Sequence, residues 1–271
     1  MSQRYRLPRR LILRVAYDVL RNRPRSLRPD ALAALSTLEK PPLVTGLENL
    51  SSGPGLLVLN HYSRPGLNVW WGALALSAAL PGPLHWVMAG GWTYPDWLRR
   101  ATLEPLTAWA FHRLAAVYGF TAMPPMPPRP HEQAARAVAV RRVVAWLRSH
   151  PEGFVALSPE GRDIPGGALG WPPPGTGRWI AHLAGLGAAL WPVGMWEEEG
   201  RLCLAIGKSV TLDLCCGDKN ELDRHVSRQV MQAIARLLPP EMRGEFSAPA
   251  PVEYNERAAS PAAPYRMRHE N

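Results

Sequence analysis

Lysine is nearly absent from this 271-residue chain: of its 31 basic side chains, all but Lys40, Lys208 and Lys219 are arginine. Together with abundant alanine, proline and glycine, that bias is the mark of a GC-rich coding sequence. The net charge of +9 is therefore a weak sign of an anionic partner. No recognition motif accompanies the arginines, and no nucleic-acid partner is expected. Cysteine is scarce too. Cys203, Cys215 and Cys216 form an odd set without C-x-x-C spacing, which predicts reduced structural thiols in a cytoplasmic protein rather than a disulfide framework. No His or Cys ligand spacing is present, so neither a metal nor a bound cofactor is expected. A spanning helix needs roughly 18 apolar residues, and the best run, residues 69–80, stops at Pro81-Gly82-Pro83. The basic N-terminus lacks a small-residue cleavage site after its apolar stretch, which argues against a signal peptide.

What is present suffices for a sizeable core, since 46% of the residues are hydrophobic. Residues 1–40 read as a basic amphipathic helical lead-in, with Arg4, Arg6, Arg9, Arg10 and Arg14 around Leu11, Ile12, Leu13, Val15 and Leu20. Two readings of it stay open: a helix lying in a membrane interface, or one packed on the domain with a solvated basic face. Residues 41–246 alternate short apolar runs with helical periodicity. Strands are expected near 42–44, 56–59, 84–89, 154–157, 191–195 and 201–206. Helices are expected near 69–80, 97–114, 132–149 and 177–186, and in a last helix capped by Asp218. Residues 123–130 read as a proline-rich loop, and residues 247–271 as a disordered tail. The fold class is α/β, with a mixed central sheet flanked by helices. Trp70, Trp71, Trp86, Trp92 and Trp97 crowd the region after the first strands and are expected mainly in the core or lining a pocket.

Two strand ends carry the candidate chemistry. The run Leu56-Leu57-Val58-Leu59 closes on Asn60-His61, and Phe154-Val155-Ala156-Leu157 closes on Ser158-Pro159-Glu160-Gly161-Arg162-Asp163. A histidine at a pocket mouth can take a proton from an attacking hydroxyl, because its ordinary pKa lies near 6.5. Glu160 can accept hydrogen bonds from an acceptor hydroxyl, Gly161 allows close backbone approach, and Arg162 and Arg64 can bind an anionic group. The plain alternative is a structural histidine beside a solvated surface turn.

The motifs as a set resemble the glycerolipid acyltransferase family, which includes the lysophosphatidic-acid and glycerol-3-phosphate acyltransferases. The likeness runs in order over residues 42–246. Val44-Thr45-Gly46-Leu47-Glu48-Asn49-Leu50 is similar to the lead-in V-x-G-x-E-N-L, Leu59-Asn60-His61 to the start of N-H-x4-D, and Pro159-Glu160-Gly161 to P-E-G-x-R. Ala181-His182-Leu183-Ala184, Trp191-Pro192-Val193, Leu238-Pro239-Pro240 and Arg243-Gly244 continue the series.

The resemblance implies an acyltransferase-like α/β domain bound peripherally to the cytoplasmic face of a membrane. It implies transfer of a fatty acyl group from acyl-CoA or acyl carrier protein to a lysophospholipid or other lipid acceptor, in phospholipid synthesis. His61 would be the general base, with Glu160 and Gly161 on the acceptor. The departures are specific. Gly66 stands where the family has its aspartate, and no carboxylate occurs between His61 and Asp96. Arg162 comes one place early, with Asp163 after it, and Pro174 replaces a lysine. The second block is unclear, Arg129 being a poor match. Asp163 is the first candidate to hold His61 in the missing aspartate's stead, ahead of Asp96 and a carbonyl of the 63–66 turn. The alternative function is a catalytically silent lipid- or acyl-binding protein.

Overall fold

The computed structural model describes residues 3–51, 53–125, 129–162, 167–215 and 217–247. Asp163 and Cys216 lie outside these, as does the expected tail from residue 248 onward. The described residues form an α/β structure around one seven-stranded mixed sheet. The strands are β1 (Leu43–Thr45), β2 (Gly55–Leu59), β3 (Leu84–Ala89), β4 (Thr121–Met123), β5 (Phe154–Leu157), β6 (Ala189–Glu198) and β7 (Arg201–Ile206). Their order is β1-β7-β6-β2-β5-β3-β4, and only the β6–β7 pair is antiparallel.

The apolar strands follow from burial on both faces, which favours continuous rather than alternating hydrophobic runs. Leu57 and Leu59 of β2 enter one core, and Leu56 and Val58 enter the other. The first core also takes Ala34 of α2 (Leu27–Leu35) and Trp71, Ala75 and Leu76 of α3 (Trp70–Ala79). The second takes Val143 and Leu147 of α5 (Gln133–Ser149), Ile180 and Leu183 of α6 (Thr176–Gly185), and Val226, Val230 and Ile234 of α7 (Lys219–Ala235). Asp218 caps α7 by accepting from the Asn220 and Glu221 amides. The remaining helices are α1 (Arg9–Arg21) and α4 (Trp97–Tyr118), which pack on one another.

Pro192 sits inside β6, an interior strand, where proline is normally excluded for want of an amide proton. The register explains its tolerance. Pairing with β7 ends at Val193↔Ile206, and the Pro192 carbonyl accepts from Gly207 at 2.9 Å. A strand residue turns its nitrogen and oxygen to the same neighbour. The missing donor thus faces the end of β7, beyond the last paired residue, and the parallel ladder to β2 loses no bond.

Three helices meet at one guanidinium. Arg25 binds Asp30 of α2 through Nε and Nη2, at 2.8 and 2.5 Å, and also pairs with Asp18 of α1. Tyr118 at the end of α4 donates to the same Asp30 at 2.7 Å. The two N-terminal helices are thereby fixed to the rest of the molecule.

His85 on β3 is buried against the ring of Trp146, with centroids 4.9 Å apart, and its Nε2 lies 2.8 Å from Thr121 Oγ1. Burial pushes its pKa down to about 4. The unfolded imidazole titrates near 6.5. Folded chains therefore bind fewer protons than unfolded ones between these values, and stability falls as pH drops through that window. The expected loss is about 1.4 kcal/mol per pH unit from this group. Urea midpoints compared at pH 6.5 and 4.5 should show this slope in the native protein and a shallower one in His85→Phe.

Candidate active site

The connections after β2 and β5 leave the sheet on opposite faces. β2 is followed by α3 in the first core, and β5 by α6 in the second. The two strands are adjacent and parallel, paired from Gly55↔Phe154 to Val58↔Leu157. Such a divergence opens a crevice at the carboxyl ends of the strands, the usual place for a ligand in an open α/β sheet. His61 and Glu160 stand there, each just past its strand.

They are in direct contact. The His61 amide donates to Glu160 Oε2 at 2.6 Å, and the Gly170 amide donates to Oε1 at 2.8 Å. Glu160 is 1% exposed. Its burial raises the carboxyl pKa, while the His61 and Gly170 amides and the charge of Arg162 act in the opposite direction. On the other flank, Asn60 ties the same strand end to β6. Its Nδ2 donates to the Met195 carbonyl at 2.8 Å, and its Oδ1 accepts from the Met195 amide at 2.7 Å. The backbone carrying His61 is thus clamped from both neighbouring strands.

His61 borders a cavity of about 1020 Å³, at the upper end of the range for small-molecule sites. Ser158, Pro159 and Gly161 line it beside the histidine, and Leu59, Trp86, Phe111 and Phe120 give it an apolar wall. Leu11, Ile12, Val15 and Val19 of α1 close it from the N-terminal side. Its few charged borders are largely engaged: Asp30 by Arg25 and Tyr118, and Arg136 by the carbonyls of Pro124 and Pro125 at 3.2 Å each. The shape and lining suit an alkyl chain, with His61 placed to act on a polar group carried by it.

The start of α6 also reaches the cavity, through Gly175 and Thr176. A helix N-terminus attracts anions, but Asp223 of α7 already occupies this one. Its carboxylate accepts from the Gly175 amide at 2.7 Å and the Arg178 amide at 2.9 Å. A phosphate group would meet that carboxylate there, and Pro174 supplies no cation.

The other expected site residues separate. Gly161 lines the cavity with φ +63°, and Arg162 is exposed beside it. Arg64 is bound by Glu197 of β6, with Nε–Oε2 2.5 Å and Nη2–Oε1 2.6 Å, and lies 5.7 Å over the Tyr5 ring. Asp96 caps α4 by accepting from the Arg99 amide at 2.9 Å and also pairs with the Arg99 side chain. Arg129 pairs with Glu104. Gly66 stands in an exposed turn closed by two bonds of 2.9 Å between the Arg64 and Leu67 backbones. Pro65 followed by Gly66 at φ +86° has the signature of a type II turn. The Arg64 carbonyl is used in that turn, and the Pro65 carbonyl accepts from Arg64 Nη1 at 2.8 Å.

Sequence reasoning missed Asn60 and Gly170. Asn60 was visible beside His61 but carried no chemistry of its own. Gly170 contributes only its amide, which no residue type betrays. The tryptophans divide: Trp71 and Trp86 are buried, Trp70 and Trp92 border the cavity while 46% and 51% exposed, and Trp97 is 78% exposed and outside it. No group of three or more potential metal ligands occurs among the described residues, and no described helix is long and apolar enough to cross a membrane. No family model and no curated protein matches the chain.

Two outcomes follow from the clamp and the turn. Glu160→Gln places an NH₂ group against one of two backbone amides and leaves a buried donor unsatisfied. The cost is about 1–3 kcal/mol, readable as a lowered urea midpoint at neutral pH. Gly66→Asp forces a side chain onto a left-handed backbone and costs about 1 kcal/mol or more, readable as a lowered urea midpoint.

Proposed function

We propose that the chain is an O-acyltransferase of the glycerolipid type, moving a fatty acyl group from acyl-CoA or acyl carrier protein to the hydroxyl of a lysophospholipid or other lipid. The observation that carries this reading is His61, held by its backbone at the border of a large, mainly apolar cavity. The ordered motif resemblance over residues 42–246 supports it independently.

In the reaction, the acceptor oxygen attacks the thioester carbonyl carbon while the His61 imidazole takes its proton. The tetrahedral intermediate then collapses. The C–S bond breaks, an ester forms, and the departing thiolate recovers the proton from the imidazolium. An imidazolium needs a group on its other nitrogen to fix the tautomer and offset the charge. Asp163 takes this role in the proposal. It follows Glu160 by three residues, while Asp96 caps α4 and the turn carbonyls of Arg64 and Pro65 already accept one bond each. Gly161 and Arg162 border the acceptor side. Glu160 acts through the backbone it holds, since both its oxygens accept amide protons.

The work is done at a membrane surface in this reading. α1 and α4, packed together, expose Leu13 and Leu20 on one and Trp97, Leu98, Leu106 and Trp109 on the other. Arg9, Arg10, Arg14, Arg99 and Arg100 are exposed on the same helices. Such a mixture suits the cytoplasmic face of an anionic bilayer.

An assay with labelled acyl-CoA and acyl carrier protein against lysolipids and uncharged lipid alcohols tests the reading. Product should form, His61→Ala should reduce it about 10²- to 10⁴-fold, and Asp163→Asn should reduce it by up to about 10⁴-fold. Transfer unchanged in His61→Ala would end the catalytic assignment. Acyl-chain binding without any transfer would favour a silent binding protein, the reading that Gly66 in place of an aspartate also favours. Separately, the protein should bind anionic vesicles and lose part of that binding as salt approaches about 1 M, where screening acts over about 3 Å. Equal affinity for neutral vesicles at all salt concentrations would remove the arginines from the account.

A further inference from the structure

Glu160 depends on a loop that is itself held from elsewhere. Residues 167–171 lie between the active-site strand end and the C-terminal stretch 240–246. On the near side, Gly170 donates to Glu160. Gly167 packs on Tyr62, the residue after His61, so closely that a Cβ would lie 3.0 Å from the ring. On the far side, the Leu169 amide donates to the Met242 carbonyl at 2.9 Å, and Trp171 Nε1 donates to Glu245 Oε2 at 2.9 Å. The Trp171 ring lies 5.0 Å from that of Phe246, and the Arg228 guanidinium of α7 sits 5.2 Å over it. Leu169 and Phe246 are both buried in the second core. Gly244, at φ +53°, allows the closest approach: a Cβ there would fall 2.4 Å from the Leu169 carbonyl oxygen.

We propose that the C-terminal stretch 240–246 is a positioning element for His61, acting through loop 167–171 and the Glu160 carboxylate. The path consists of direct contacts only. Residues 242, 244 and 245 hold 169 and 171, the amide between them orients one carboxylate oxygen, and the other oxygen holds the His61 amide. A carboxylate fixed by two donors has one orientation. With the Gly170 donor displaced, a buried carboxylate retains one amide partner and can turn, and His61 moves with it. Misplacement of a reacting group by about 1 Å can cost about 10²-fold in rate.

The inference rests on the acyl-transfer reading for its kinetic measurement alone. The full-length protein would be compared with Gly244→Ala, which drives a methyl group into the Leu169 carbonyl, and Trp171→Phe, which keeps a ring but loses the bond to Glu245. Amide hydrogen exchange would be followed at Gly170 and His61, with Val87 and Leu204 in the sheet as references. Expected in Gly244→Ala are exchange at Gly170 and His61 faster by about 10-fold or more, as a lost hydrogen bond permits, and unchanged exchange at the references. kcat should fall about 10- to 10²-fold with KM for the lipid acceptor within about two-fold. Trp171→Phe should show the same pattern, weaker, and decides the matter if Gly244→Ala does not fold. Unchanged exchange at both active-site amides in a folded variant would overturn the proposal. So would exchange that rises equally across the sheet, because it marks general loosening. If the native protein transfers no acyl group, the proposed function fails while the exchange pattern still judges the coupling.

Discussion

One desolvated carboxylate organises this structure. Glu160 accepts from His61 on the end of β2 and from Gly170 in the loop beyond β5. A buried charge is tolerated only when well bonded, and both of its oxygens have an amide. The direction of its pKa is informative in this respect. Burial outweighs the amides and Arg162, so the ionised group is held at some cost to stability. The cost is understandable if the geometry it enforces is what matters. Asn60 supplies the second half of the clamp against β6, using a neutral amide where a charge is not required.

The cavity follows from topology more than from any single side chain. Helices leave β2 and β5 on opposite faces, and the space beyond the strand ends is walled by residues of α1, β3, α4 and the start of α6. α1 contributes no fully buried residue, yet its apolar side forms a wall of the cavity. Of the two readings of that helix, packing on the domain is the one seen here, and the membrane contact belongs to the proposal. The same element can cover a cavity with one side and present leucines and arginines outward with the other. The electrostatics are spare: Asp223 closes the N-terminus of α6, Arg136 at the cavity border is held by two carbonyls, and Arg162 is exposed.

How much was legible in the sequence divides along physical lines. Strands buried on both faces announce themselves as apolar runs between turns, and β2, β3, β5 and β7 lie where those runs are. β4 was not expected as a strand, and only its last residue, Met123, fell in the expected proline-rich loop, because three residues on a sheet edge are too few for a period to form. The helix over 97–114 extends to Tyr118, where Gly119 in a left-handed conformation ends it. Of the site, the two strand ends and their shared edge were visible, since parallel neighbours with similar runs bring similar positions together. Arg64 was not legible. Its carboxylate is 133 residues away, on a strand whose placement depends on the whole sheet order. Gly170 was not legible either, because it acts through a backbone group that every residue except proline possesses.

The pairing of β1 with β7 places a constraint on the order in which this chain can assemble. Leu43 lies opposite Cys203, so β1 receives its neighbour only after about 160 further residues have left the ribosome. Parallel contacts of such long range form slowly. Until they do, β1 has no strand partner, and an emerging chain with an unpaired strand edge is prone to aggregate.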